Sequence, residues 1–276
     1  MIGVITDSAA DLPAGVGAQW GITVVPLTVR FGNEVFTDGV DLDSDTFWSM
    51  LGARSDLPET AAPSAGAFMD AFAHLEEEGA DGAVVVTLSS RLSATHQSAV
   101  IAAENLSGSF PVRVVDSHTV SMALGLVAIA AAEAAAGGDD LDAVAVAAVR
   151  AAENVDILVA LDTLEFLKRG GRVGGAQALL GGLLDVKPLI TVDDGVVAAA
   201  GRVRTRSKAR SAIIQTATEN SGARRMAVLA GGASDHDEFV TAVRAVAGDQ
   251  VIVAQFGPVV GTHAGPGAIG VAYQRA

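Results

Sequence analysis

Short apolar runs alternate with segments of helical periodicity along nearly the whole chain, and the runs end in polar residues. Residues 2–5 lead into Thr6-Asp7-Ser8, residues 84–88 into Ser89-Ser90, and residues 112–115 into Asp116-Ser117. Unbroken apolar runs of this length suit strands buried on both faces, as parallel strands are. Helical segments between them predict βαβ units and an α/β class. Helices are expected over 65–78 behind Ser64, from Ser93 to about 105, over 121–136 before Gly137-Gly138, and over 141–153. Residues 22–31 read as one further strand, turned by Gly32-Asn33 towards Val35-Phe36, with a short helix around 47–51. This order gives an N-terminal, doubly wound parallel α/β domain over residues 1–153.

A second unit begins near Asp156. Strands at 187–192 and 196–203 flank Asp193-Asp194-Gly195, a strong hairpin signal. Helices are expected over 163–169, 176–184, 207–220 and 237–247. Strands are expected at 156–161, 227–230 and 251–256, the last of them before a tail rich in glycine and proline. Residues 154–276 therefore read as an α+β domain with a mixed sheet. At 276 residues and 50% hydrophobic content, the chain has ample material for two cores.

Several function classes are excluded. A net charge of −14 repels phosphate backbones, so no nucleic-acid partner is expected. Zero cysteines rule out thiol catalysis and a disulfide framework, and suit a reducing cytoplasm. The first residues lack a basic n-region, and the longest apolar stretch, 120–132, is too short for a transmembrane segment. Gly265-x-Gly267-x-x-Gly270 matches the dinucleotide fingerprint in form only, because six residues remain after Gly270. None of Lys168, Lys187 and Lys208 follows a glycine, so there is no P-loop. No metal motif is seen; Ser234-Asp235-His236-Asp237-Glu238 opens a helix. No ATP site and no cofactor are expected.

The hydroxyls of residues 89–98 gather where a helix begins, and a helix start offers free N–H groups to an anion. Ser93 would donate its hydroxyl and Ala94 its backbone N–H; simple helix capping is the alternative. No G-x-S-x-G elbow surrounds Ser93 to make it a nucleophile. His263 lies in the glycine-rich segment 256–267, read as an accessible loop. Two basic groups stand out in this acidic chain. Lys168, Arg169 and Arg172 sit beside Gly170-Gly171, and Arg202, Arg204, Arg206, Lys208 and Arg210 follow later. They read as a helix end and an edge strand, or as a surface meeting phosphate carried by another molecule.

These pieces together resemble one family. The chain is similar to the DegV family of bacterial fatty-acid-binding proteins in I-T-D-S at 5–8, Thr60 with Pro63-Ser64, S-S-R-L-S-A-T-H-Q-S-A at 89–99 and V-D-S at 115–117. The match continues in L-D-T-L-E-F-L-K-R-G-G-R-V at 161–173, K-P at 187–188 and G-P-V-V-G-T-H-A-G-P-G at 257–267. The resemblance implies a two-domain fold with a long-chain fatty acid buried in a tunnel between the domains. It implies no enzyme in its own right but the lipid-binding subunit of a fatty acid kinase, whose separate ATP-binding subunit phosphorylates the carboxylate. By the same resemblance Thr60, directly or through water, Ser93 with Ala94, and His263 meet the carboxylate. Arg172 faces the kinase subunit, and Arg202 and Arg204 form a surface towards it. The chain departs from the family's T-S-Q-P in having Thr60-Ala61-Ala62-Pro63. Two other readings stay open: an ester hydrolase using Ser93 and His263, and a lipid-responsive module with no kinase partner.

A 14-methylene tail would contribute roughly 11 kcal/mol gross at ~0.8 kcal/mol per group. A helix N-terminus adds only ~0.3–2 kcal/mol for an anion. The tail should set affinity, and the head-group contacts should set orientation.

Overall fold

The chain's alternating runs become two large sheets in a computed structural model that describes residues 1–106, 110–179 and 186–276. The first half contains β1 (Ile2–Asp7), α1 (Ala14–Gln19), β2 (Ile22–Val25), β3 (Thr28–Phe31), β4 (Glu34–Thr37), α2 (Ser44–Ala53) and β5 (Glu59–Ala61). It continues with α3 (Ala65–Glu77), β6 (Gly82–Thr87), α4 (Thr95–Glu104), β7 (Val112–Asp116), α5 (Met122–Ala136) and α6 (Leu141–Ala152). Strands β2-β1-β6-β7 form a parallel sheet in that order. The direction of winding reverses between β1 and β6, which leaves a crevice beyond their carboxyl ends.

The stretch 22–31, expected as one strand, is two. Pro26 has no N–H to donate, and the chain crosses there from the parallel sheet into a three-stranded antiparallel sheet, β4-β3-β5. Its third strand, β5, carries Thr60 and pairs with β3.

The second half contains β8 (Val155–Ala160), α7 (Glu165–Arg169), β9 (Lys187–Asp193), β10 (Val196–Val203), α8 (Arg206–Glu219) and β11 (Arg225–Gly231). Then come α9 (His236–Ala247), β12 (Ile252–Gln255), α10 (Pro258–Ala264) and β13 (Ala268–Gln274). The six-stranded sheet runs β10-β9-β8-β13-β11-β12; β11 and β12 are parallel and the other pairs antiparallel. Asp194 and Gly195 have φ of 45° and 76°, the left-handed pair that a tight β9–β10 hairpin needs.

Two expectations fail in this half. The tail is not irregular after β12: β13 enters the middle of the sheet between β8 and β11. Gly270 is needed there because a Cβ would come within 2.8 Å of the Leu158 carbonyl oxygen, so strand packing accounts for the glycine. The expected helix over 176–184 is a 3-10 segment, Gly174–Leu179, as far as it can be followed. Its remaining residues lie outside the described ones.

Helix α5 is apolar around nearly its whole circumference and is buried accordingly. It packs on β1 and β6 of one sheet and on β8 and β13 of the other, and so forms a shared core element. Among the described residues no helix is long and apolar enough to cross a membrane.

Candidate ligand-binding site

A narrow apolar pocket lies where the two halves meet. Ala9, Leu27, Leu88, Leu92 and Val120 line it from the first half. Ile157, Val159, Leu161, Leu167, Ile190, Val192 and Val197 line it from the second, with Phe256, Val259, Val260 and Ala264 from the α10 region. The open volume is about 90 Å3. This small volume, lined from both halves and mostly by apolar side chains, is an apolar slot.

Polar side chains are few: Thr60, Ser93, Ser121, Arg172, Thr191 and His263. Thr60, Arg172 and His263 also line a second cleft, of about 420 Å3, together with Glu59, Phe166 and Arg169. These three residues therefore form a polar boundary between the slot and an outer cleft.

The boundary is built from three distant segments. Thr60 Oγ1 lies 2.9 Å from His263 Nε2. Arg172 donates from Nε to the Leu92 carbonyl at 3.1 Å and from Nη1 to the Gly170 carbonyl at 2.5 Å. Gly171 (φ +71°) lets the chain turn back after α7, so that the Arg172 N–H reaches the Leu167 carbonyl at 2.9 Å. Gly170 is required by space: a Cβ there would lie 2.2 Å from His263 Nδ1. That nitrogen is buried and has no hydrogen-bond partner among the described residues. Burial, reinforced by the Arg172 charge, pushes the His263 pKa down to about 4. The ring is neutral at pH 7, with one donor and one acceptor nitrogen.

Ser93 is set differently. Its Oγ lies 2.9 Å from Thr95 Oγ1 and accepts from the Thr95 N–H at 3.3 Å. Residues 89–94 precede the helix as a turn, and α4 starts at Thr95 with Ala94 as its cap position. Ala94 is not among the residues lining the pocket. The turn is fixed by Ser89, whose hydroxyl donates to the Gly195 carbonyl at 2.7 Å and ties the first half to the β9–β10 hairpin.

Other sequence expectations change. His263 is not on an accessible loop; it sits in α10 and is largely enclosed. Pro258 presets the first helical turn, and the glycines admit aromatic rings. A Cβ at Gly261 would lie 2.7 Å from Phe47 Cε1, and one at Gly265 would lie 2.4 Å from Phe166 Cδ2. The Arg172 guanidinium lines both cavities rather than facing outward alone. Arg202 and Arg204 are exposed on and just beyond the edge strand β10 and do not line the pocket. Arg206 and Arg210, from the same basic run, pair with Asp235 at 2.7 Å and Glu238 at 2.8 Å. Ala61 and Ala62 do not line the slot. Neither His263 nitrogen bonds Ser93: Nε2 has Thr60 and Nδ1 has no partner. The pairing a serine hydrolase would need is not formed.

Relatives give this geometry a context. The DegV family model matches residues 1–276. A DegV domain-containing protein of Streptomyces coelicolor is 37% identical over 276 residues, covering 98% of this chain and 97% of its own. Among solved structures, a DegV family protein from Thermus thermophilus described by its fatty acid binding superposes with a TM-score of 0.87 at 33% identity, over 100% of this chain and 99% of the other. DegV, a fatty acid binding protein from Bacillus subtilis, superposes with a TM-score of 0.88 at 30% identity, again over 100% and 99%. With the match running from the first residue to the last and the two-sheet fold shared, the chain belongs to the DegV family.

Proposed function

We propose that this protein binds a long-chain fatty acid between its units 1–153 and 154–276 and presents the carboxylate to a separate ATP-binding kinase subunit in the cytoplasm. The observation that carries this reading is the polar boundary: an apolar slot ends at Thr60, Arg172 and His263, where an outer cleft begins. The fatty-acid binding of the Thermus and Bacillus relatives supports it.

The chemistry follows from the donors. Two of the five guanidinium N–H groups of Arg172 are used by carbonyls, which leaves others for a carboxylate. When His263 donates from Nε2 to Thr60 Oγ1, the Thr60 hydroxyl proton is free to point at the ligand. Ser93, already sharing its oxygen with Thr95, adds a third donor. The tail supplies most of the affinity through buried methylenes. The donors hold the head group at the edge of the outer cleft, and positioning of that kind is what a phosphoryl donor needs. Arg169 lines that cleft, paired with Glu165 at 2.6 Å, and exposed Arg202 and Arg204 offer further cationic surface to a nucleotide-carrying partner.

The test is to load the protein with oleate, add ATP with and without a fatty acid kinase subunit from a DegV-encoding bacterium, and trap acyl phosphate with hydroxylamine. Acyl hydroxamate should form only with the subunit present and should fall with Arg172→Ala. Formation with ATP alone would contradict the division of labour. Oleate that stays bound yet unphosphorylated by every such subunit would leave lipid binding without presentation.

A further inference from the structure

The polar groups at the end of the slot come from both units: Thr60 and Ser93 from the first, Arg172 and His263 from the second. Whether they converge on one carboxylate depends on how the turn over residues 88–93 is set against the second unit. Within its own unit this turn is pinned along the backbone. Asp7 accepts from the Leu88 N–H at 2.8 Å, the Thr119 carbonyl from the Ser89 N–H at 2.8 Å, and Asp116 from the Ser90 N–H at 3.2 Å. The Ser89 carbonyl closes the turn by accepting from the Leu92 and Ser93 N–H groups at 3.0 and 3.2 Å.

Two contacts carry the turn across to the tip of the β9–β10 hairpin, and they are unequal. Arg91 donates from Nη1 to the Asp194 carbonyl at 2.6 Å and pairs with the Asp194 carboxylate, but both side chains are largely exposed, and a screened pair of this kind contributes little. The Ser89 hydroxyl is 0% exposed; it accepts from the Arg91 N–H at 3.2 Å and donates to the carbonyl of buried Gly195 at 2.7 Å. Removing that donor leaves a buried carbonyl unsatisfied, which costs more than the bond itself contributes. Glycine is required opposite it, since a Cβ at Gly195 would lie 2.6 Å from Ser89 Oγ. The hairpin end has limited support elsewhere. Among the described residues β9 pairs with β8 only through Leu189 and Ile190, and Val192 and Val197, beyond that pairing, line the slot. On its other side Gly174 lies against the Val197 carbonyl, where a Cβ would come within 2.6 Å.

From this buried bridge between the units, we infer that Ser89 is a positioning residue that selects for a carboxylate in the slot. It is not among the residues lining the slot, so it acts through others. Its hydroxyl fixes the turn against Gly195, and the turn carries the Ser93 hydroxyl and the Leu92 carbonyl that holds Arg172 Nε at 3.1 Å. One bond thereby registers a donor of the first unit against a donor of the second. A carboxylate, which takes donors on two oxygens, needs that register. An alcohol, satisfied by one partner, does not. The inference rests on the fatty-acid reading proposed above.

The test is the affinity ratio of oleate to oleyl alcohol, measured by displacement of a fluorescent fatty acid from the full chain. Ser89→Ala should lower that ratio about fivefold while the affinity for the alcohol stays within about twofold of wild type. Gly195→Ala presses on the same hydroxyl from the hairpin side and should lower the ratio too, which decides the matter if Ser89→Ala does not fold. Asp194→Ala removes only the exposed pair and should leave the ratio within about twofold. An unchanged ratio in Ser89→Ala and Gly195→Ala, equal losses for acid and alcohol, or a drop in Asp194→Ala as large as in Ser89→Ala would overturn the assignment. Wild-type protein that does not prefer oleate to its alcohol would overturn the fatty-acid reading and the role of Ser89 with it, whereas a wild-type preference untouched by the variants would overturn the role of Ser89 alone.

Discussion

Two buried polar clusters flank α10, and they are built on opposite principles. At its C-terminal end His263 meets Thr60 and the Arg172 guanidinium, so that cluster is neutral or cationic. At its N-terminal end Asp7, Asp11 and Asp38 gather, with Asp11 accepting from the Gly257 N–H at 2.9 Å, so that cluster is acidic, and burial raises all three carboxyl pKa values. Each keeps one buried polar atom without a partner among the described residues, His263 Nδ1 and Asp38 Oδ2. The first is open to an apolar slot and suits an amphiphilic anion. The second is acidic, and its burial favours protonated carboxyls. A seven-residue helix thus separates a basic cluster from an acidic one, and burial is what pushes His263 and the three acids alike towards their neutral forms.

Blocking the slot should have the largest effect. Val192→Trp fills it from β9, and acyl-chain binding should become undetectable by fluorescent fatty-acid titration while circular dichroism stays native. Retained binding would move the lipid elsewhere. Asp38→Asn tests the other cluster. Its carboxyl is raised from 3.8 to about 6, so protonation stabilises the fold. That stabilisation is complete below about pH 4 and lost as pH rises through about 6. The variant should lose up to about 3 kcal/mol of this pH dependence in urea unfolding measured across the window. An unchanged profile would mean the acid is not strained.

Gly170→Ala should cost about 2 kcal/mol of stability, because the added Cβ displaces His263. It should weaken lipid binding. Thr60→Val unpairs His263 Nε2 and should cost about 1 kcal/mol in fatty-acid affinity, with little change for an alkane or fatty alcohol probe. Since His263 is neutral above about pH 4, its contribution to affinity should be flat between about pH 8 and 5.5. An affinity that rises through about pH 6.5 as the solution is acidified would show a charged imidazole. The smallest effect is expected for Ala61→Ser, within about 0.5 kcal/mol, because Ala61 does not line the slot.

The sheets and the apolar α5 were legible because their signals are local. Runs such as Val84-Val85-Val86 have one stable place, in a buried parallel strand, and an alanine-rich helix apolar all round has to be enclosed. The elements that were misread draw their order from distant partners. β5 is three residues paired to β3, and β13 is a glycine-bearing strand stabilised by β8 and β11 on either side. In α10, glycine content suggested a loop, whereas those glycines make room for Phe47, Trp48 and Phe166. The same limit applies to the sites. Thr60, Ser93 and His263 stood out through motif resemblance, but nothing local announced that Arg172 would turn inward past Gly171. The cluster of Asp7, Asp11 and Asp38 was hidden too, since each acid alone reads as a strand end or a turn residue.

Native mass spectrometry of protein purified from lipid-containing hosts, followed by organic extraction, tests fatty-acid binding most directly. The expected result is one long-chain fatty acid per chain, released on denaturation and absent from Val192→Trp prepared in parallel. Wild-type protein that carries no acyl chain from several such hosts, and takes up none when oleate is supplied, would contradict it.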